Sequence, residues 1–327
     1  MASSSSHEPL SRYDAALLER LAGSVVGRRR ELESVVAALA AGRHLLLEGP
    51  PGTGKSTVLR AISGAAGTAF EFVEGNAELT PARLVGSHDP AVVLSEGYTP
   101  EAFVDGPLVA ALREGSLLYV EEINRVPEET LNVLITVMSE GEVHVPRLGR
   151  VAAAPGFRLV AAMNPFDAVG TARIASAVYD RCCRLAMDYQ SGDDEVDIVE
   201  RQTGSAAAAL GVDGVRAAVA MVRDSRQHPD VRTGSSVRGA IDTVMVAAQL
   251  AGLRGAPALD PDVTLDAALL ALSGRIRLRE GTGRSPEDVV TELWRRHFPP
   301  TGADEPTPDG QTSDGQPAGS GDESGKG

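Results

Sequence analysis

Directly behind the apolar run Leu45-Leu46-Leu47 stands Gly49-Pro50-Pro51-Gly52-Thr53-Gly54-Lys55-Ser56, a spacing that few folds accommodate. The pattern G-x-x-x-x-G-K-S requires a buried strand, a glycine-rich loop and a helix in direct succession. Its glycines let consecutive N–H groups turn inward onto phosphate oxygens, and the helix adds its positive N-terminus. Lys55 is expected to reach the β- and γ-phosphates of a nucleoside triphosphate and Ser56 to ligate Mg²⁺. His44 to Glu48 reads as the strand, while Thr57, Val58, Leu59, Ala61 and Ile62 read as the helix that follows. A glycine- and proline-rich surface turn would not come with both flanks.

The same alternation continues downstream. Arg28 to Ala40 reads as a helix before the cradle; further strands are expected near Phe70 to Glu74, at Leu117 to Val120 and at Arg158 to Met163. Near-continuous apolar strands separated by helices imply an α/β core, a parallel sheet covered on both faces, with its site at the carboxyl ends of the strands. Two stretches read as β-hairpins inserted into this core. One runs from Ala91 to Val104 around Gly97-Tyr98-Thr99-Pro100, the other from Glu142 to Val151 around Pro146 to Gly149. From Asp193 onward the apolar spacing becomes helical and predicts a small all-α lid. The division expected is a Ser-rich disordered start (1–12), an α/β core (13–191), a helical lid (192–298) and a disordered acidic tail (299–327).

Charge and cysteine content narrow the class of partner. The net charge is −14; the tail from Thr301 contributes six acids against one base, so −9 remains elsewhere. That balance argues against a broad nucleic-acid-binding face. Cys182 and Cys183 are adjacent, which suits neither a disulfide framework nor a four-ligand zinc site and points to a reducing compartment. With no signal-peptide pattern at the start and no stretch read as long enough to span a bilayer, a cytoplasmic protein without membrane insertion is expected.

Hydrolysis of a nucleotide needs a carboxylate for the metal and a group that orients the attacking water. Glu121 and Glu122, at the end of an apolar strand, supply such a pair: Glu121 for Mg²⁺, Glu122 for the water. A solvated acidic turn is the alternative where no cradle lies upstream. Asn164, after the strand ending at Met163, offers an amide that can bond both water and γ-phosphate. Arg181 in Tyr179-Asp180-Arg181 is a candidate arginine finger, although such pairs are also common on surfaces. Arg238, one turn into a helix capped by Ser235 or Ser236, can reach the nucleotide from the lid or simply face solvent.

Taken in order, Val26-Gly27, the cradle, Glu121-Glu122-Ile123-Asn124-Arg125, Ala162-Met163-Asn164-Pro165 and Gly234-Ser235-Ser236-Val237-Arg238 resemble the MoxR family of AAA+ ATPases. The similarity runs from about Val25 to Leu278. It implies the AAA+ P-loop fold, a three-layer αβα core with inserted hairpins and a helical lid, and it implies ATP and Mg²⁺ as ligands. It further implies that Val26 and Gly27 line an adenine pocket, that Asn164 and Arg238 are the two sensors, and that Arg181 acts on a neighbouring subunit's nucleotide in a ring, usually a hexamer. Members of the family act as chaperone-like remodelling ATPases, often beside a von Willebrand factor A protein, and mature or activate a metalloenzyme or complex. The inserted hairpins would then offer Tyr98 or Phe103 as contacts. Two departures stand out: Glu rather than Asp at position 121, and Tyr179-Asp180-Arg181-Cys182 where a Leu-Asp-Arg-Phe run is usual. Two alternatives stand beside this reading, a nucleic-acid-linked motor or GTPase, and a nucleotide-gated scaffold with little hydrolysis.

Overall fold

Alternation within the strands decides how the core is layered. A computed structural model describes residues 12–165 and 176–298; the Ser-rich start up to residue 11 and the tail 299–327 lie outside the described residues. Helices α1 (Ala15–Leu21) and α2 (Arg29–Ala40) precede strand β1 (His44–Glu48), the cradle and α3 (Lys55–Ala66). Strand β2 (Phe70–Glu74) leads through α4 (Pro81–Val85), β3 (Gly86–His88), α5 (Pro90–Glu96) and β4 (Phe103–Asp105) to α6 (Pro107–Glu114) and β5 (Leu117–Glu121). Then come α7 (Glu128–Glu140), β6 (Glu142–Val145), β7 (Gly149–Ala152), β8 (Arg158–Met163), α8 (Ser176–Arg181) and β9 (Cys182–Ala186).

Five strands form one parallel sheet in the order β2-β5-β8-β1-β9. Successive side chains point to opposite faces. Leu45, Leu47, Leu117, Tyr119, Val160 and Ala162 therefore pack with α1, α2 and α3 on one side. Leu46, Leu118, Val120, Leu159 and Ala161 pack with α4, α6, α7 and α8 on the other. This is the expected three-layer αβα core, with four of its strands where the sequence puts them. The fifth, β9, is an edge strand whose Cys183, Arg184 and Ala186 are exposed, so it carries no apolar run to betray it.

The second insertion is a hairpin as expected: β6 and β7 pair antiparallel, Val143 opposite Val151. The first is not the hairpin read from the sequence. Val92-Val93-Leu94 belong to α5, because Asp89 accepts from the N–H groups of Ala91 and Val92 and Pro90 sits in the first turn. The strand pairing with β4 is β3 instead, Ser87 opposite Val104. Phe103 is buried, so of the two aromatics named as contacts only Tyr98 is open to solvent.

The lid comprises α9 (Gly192–Thr203), α10 (Ser205–Ser225), α11 (Val237–Arg254), α12 (Pro261–Leu272) and α13 (Pro286–His297), around a core of its own. It is not purely helical, since β10 (Val231–Thr233) and β11 (Arg277–Leu278) form a short antiparallel pair. Helix α10, at 21 residues, does reach the length and apolarity of a membrane span, contrary to the reading of the sequence. Gly211 breaks it at φ 71° and ψ 168°, and Leu210, Val215, Ala218, Met221 and Val222 are buried in the lid core.

Leu46 is fully buried in β1, between β8 and β9. Leu46→Ala should destabilise the chain by about 2–5 kcal/mol, the usual cost of such a cavity; urea unfolding followed by circular dichroism measures it.

Candidate functional site

The cradle forms because β1 ends where α3 begins, with only six residues between Glu48 and Lys55 to reverse the backbone. Gly52 (φ 78°) and Gly54 (φ 85°) adopt left-handed conformations that a side chain would strain. Gly49 is required for a different reason: a Cβ there would collide with the carbonyl oxygen of Met187. Lys55, the first residue of α3, is buried and its Nζ donates to the carbonyls of Gly49 and Pro50, both at 2.8 Å. Burial pulls this ammonium below its ordinary pKa, with Glu121 opposing the shift.

Strand order brings the predicted acids and amide to the same edge. Because β8 lies between β5 and β1, Asn164 stands between Glu121-Glu122 on one side and the cradle on the other. Gly49 N–H donates to the Met163 carbonyl at 3.1 Å, tying the loop to the end of β8. Ser56 Oγ lies 3.2 and 3.3 Å from the two carboxylate oxygens of Glu121, which joins cradle and acid directly. Glu122 takes a left-handed conformation (φ 52°, ψ 43°), uncommon for a residue with a side chain and a form of strain that clusters at functional sites. Its carboxylate pairs with Arg125 Nη1 at 3.0 Å. Gly75 permits this turn, since a Cβ there would lie 2.5 Å from the Glu122 carbonyl oxygen.

The lid reaches the cradle through α11. Ser236 occupies the N-cap position without a side-chain cap bond, and it sits so close to Gly52 that a Cβ on the glycine would overlap it. Arg238 follows on the exposed side, near enough to contribute to the lowered pKa of Lys55. Gly27 lines a cavity of about 440 Å³ with Leu18, Leu21 and Val25, and its own Cβ position is taken by the Asp194 carboxylate of α9. Val26 is tied to the segment before the lid, its carbonyl accepting from Gln190 Nε2 at 2.8 Å.

Arg181 is the one predicted residue that stands apart from the rest. It precedes β9, whose Cys182 pairs with His44 and whose Ala186 pairs with Glu48. At about 3.3 Å per residue it lies some 16 Å down the sheet from the cradle. There its Nε donates to Ser139 Oγ at 2.5 Å and its Nη1 to the Ala177 carbonyl at 3.0 Å. The unusual Tyr179 has a partner that accounts for it. Its hydroxyl donates to Glu48 Oε1 at 2.8 Å, while Arg184 Nε reaches Glu48 Oε2 at 2.5 Å, so the carboxylate buried just before the cradle is fully paired.

Three groups at the site escaped the reading of the sequence. Arg28, buried ahead of α2, donates to the Thr53 carbonyl at 2.9 Å and to the Asp188 carbonyl, and pairs with Glu31 at 2.5 Å. It fastens the cradle to the segment leading into the lid. Glu195, buried in α9, pairs with Arg223 at 3.1 Å and Arg226 at 2.8 Å, and Arg226 stacks over the Tyr189 ring at 3.8 Å. Tyr119 brings its hydroxyl to 3.2 Å from Ser56 Oγ, and burial raises its pKa above the ordinary range. A phenol two residues before the acids was the available signal for Tyr119, because i and i+2 share a strand face. No local pattern pointed to Arg28 or Glu195.

Among the described residues no group of three or more His, Cys, Asp or Glu side chains is arranged to hold a metal ion. Ser56 and Glu121 nonetheless make an all-oxygen pair beside a phosphate cradle, which fits Mg²⁺, a cation held by one or two protein oxygens together with substrate phosphates. Cys182 and Cys183 are both free thiols, the former pushed up to about 12 by burial.

Comparison with known proteins agrees with this geometry. Residues 44–182 match the model of the AAA domain, dynein-related subfamily. An uncharacterised protein of Staphylococcus haemolyticus (strain JCSC1435) is 34% identical over 163 residues, covering 49% of this chain and 61% of that one, so the match spans about three fifths of the relative. The uncharacterised protein YeaC of Bacillus subtilis (strain 168) is 29% identical over 303 residues, 84% of this chain and 91% of its own. A RuvB variant of Thermotoga maritima shares the fold at a TM-score of 0.51 and 17% identity, covering 75% of this chain and 70% of that one. The cradle, the acids of β5 and the amide after β8 all lie within the stretch that matches the AAA domain, and the chain shares the P-loop fold of these structures.

Proposed function

We propose that this chain is an ATPase of the MoxR type, which couples ATP binding and hydrolysis to chaperone-like remodelling of a protein partner. The observation that carries the reading is the contact of Ser56 Oγ with Glu121 at 3.2 Å, one strand away from Asn164 and in line with the cradle. Cradle N–H groups and Lys55 bind the phosphates, and Ser56 and Glu121 hold Mg²⁺, which when bound neutralises charge on the β- and γ-phosphates. Glu122 takes the proton of the attacking water, and Asn164 orients that water against the γ-phosphate. Arg238 reaches the nucleotide from the lid, while Val26 and Gly27 border the base.

Arg181 is assigned to a neighbouring subunit's nucleotide. Some 16 Å of strand separates it from its own cradle, a distance that an arginine side chain does not cross. A ring, in this reading a hexamer, follows from that assignment. The net charge of −14 favours a protein partner over nucleic acid, of the class of a von Willebrand factor A protein or a metalloenzyme, in the cytoplasm. A nucleotide-gated scaffold is the second reading; the ion pair between Glu122 and Arg125 favours it by engaging the base.

Turnover of ATP and GTP with Mg²⁺, with and without DNA, separates these functions. ATP hydrolysis indifferent to DNA is expected; strict GTP preference or stimulation by DNA would overturn the choice, and nucleotide-dependent partner capture without turnover would favour the scaffold. Lys55→Ala should abolish nucleotide binding in equilibrium titrations, whereas Glu122→Gln should bind ATP and retain it unhydrolysed. Arg181→Ala should lower turnover by about 10³-fold or more. Mixing Arg181→Ala with Lys55→Ala subunits should restore part of that activity, because each supplies what the other lacks.

A further inference from the structure

Tyr119 is a fully buried polar side chain to which the proposed chemistry gives no task. It sits two residues before Glu121 on β5, so phenol and carboxylate share the sheet face covered by α3. Phe70 and Phe72 of the neighbouring strand flank its ring, each with a centroid 5.8 Å away. Arg60 of α3 stands over both phenylalanines, at 5.1 and 5.6 Å from their centroids. The ring is held in place by this packing, and its hydroxyl arrives 3.2 Å from Ser56 Oγ.

The oxygens of Tyr119, Ser56 and Glu121 form a triangle. An ionised carboxylate only accepts, and each hydroxyl has one proton to donate. In the order in which Ser56 gives its proton to Glu121, Tyr119 is the donor to Ser56. One serine lone pair is then occupied, and the other is left for a cation. Without the phenol, the serine hydroxyl keeps one anchor in place of two and its lone pairs lose their fixed direction.

We propose that Tyr119 is a positioning residue for the divalent cation at the cradle: its hydroxyl sets the rotation of Ser56 Oγ, so that the remaining lone pair is presented to a cation arriving with the nucleotide. This rests on the nucleotide-binding reading above. The phenol also gives Ser56 a second anchor, a neutral one, beside the carboxylate of Glu121, whose side chain is one methylene longer than an aspartate.

The test is Mn²⁺ binding to the full chain loaded with a non-hydrolysable ATP analogue, followed by electron paramagnetic resonance of the free ion, beside analogue affinity measured in EDTA. Tyr119→Phe keeps the ring and removes only the hydroxyl. It should weaken Mn²⁺ binding about five-fold, the scale of one neutral hydrogen bond, with metal-free analogue affinity and the thermal midpoint unchanged. Unchanged Mn²⁺ affinity, or an equal loss in both affinities, would overturn the proposal while leaving nucleotide binding intact. A wild-type chain that binds no analogue at all would remove the nucleotide reading, and this proposal with it.

Discussion

Strand β1 hydrogen-bonds to β8 on one side and to β9 on the other, and the carboxyl edge of the sheet is organised around that double pairing. Glu48 is level with Met163 and with Ala186, so the cradle, the amide after β8 and the segment leading to the lid all emerge at one height. The pairing continues past the strand ends: Gly49 N–H donates to the Met163 carbonyl, and Met187 N–H to the Glu48 carbonyl. A parallel strand buried on both faces cannot slip without breaking its ladders on both sides and leaving buried backbone groups unpaired. The position of the phosphate loop is therefore set by the sheet interior.

Buried charge marks the places where separate parts of the chain are joined. Glu48 unites α8 and β9 just below the cradle; Arg28 unites the cradle with the segment before the lid; Glu195 anchors the lid around Arg223 and Arg226. Buried charges of this kind contribute little net stability, because desolvation offsets most of their attraction. Each is costly to leave unpaired, however, and so defines one arrangement sharply. The lid meets the core through close glycine contacts at Gly27 and Gly52, so movement of α9 is felt at Gly27 and movement of α11 at the cradle backbone.

Much of the core was legible because its signals are local. The strand-loop-helix of the cradle and the apolar strands β2, β5 and β8 all follow from runs and periods a few residues long. Misreadings occurred where local signals mislead or vanish. Val92-Val93-Leu94 has strand character by composition, yet Asp89 and Pro90 start a helix there and leave β3 to pair with β4. Strand β9 is a half-exposed edge, and edges need no apolar run. Helix α13 starts at a capping box in which Ser285 and Asp288 bond each other's backbone.

Residue type and spacing alone determined that a triphosphate cradle lies between a strand and a helix, that two acids and an amide end two further strands, and that a helical unit follows. These are properties of contiguous segments, governed by backbone geometry and side-chain alternation. Only the tertiary structure decided which of those residues meet. The strand order β5-β8-β1 brings Glu121 to Ser56 and sets Asn164 between them, whereas the position of β9 holds Arg181 far down the sheet. It also recruited Tyr119 and Arg28, whose polar atoms found partners 25 to 160 residues away in the chain. Such partnerships arise from burial, where every polar group must be matched across whatever segments happen to pack together, and no local pattern encodes them.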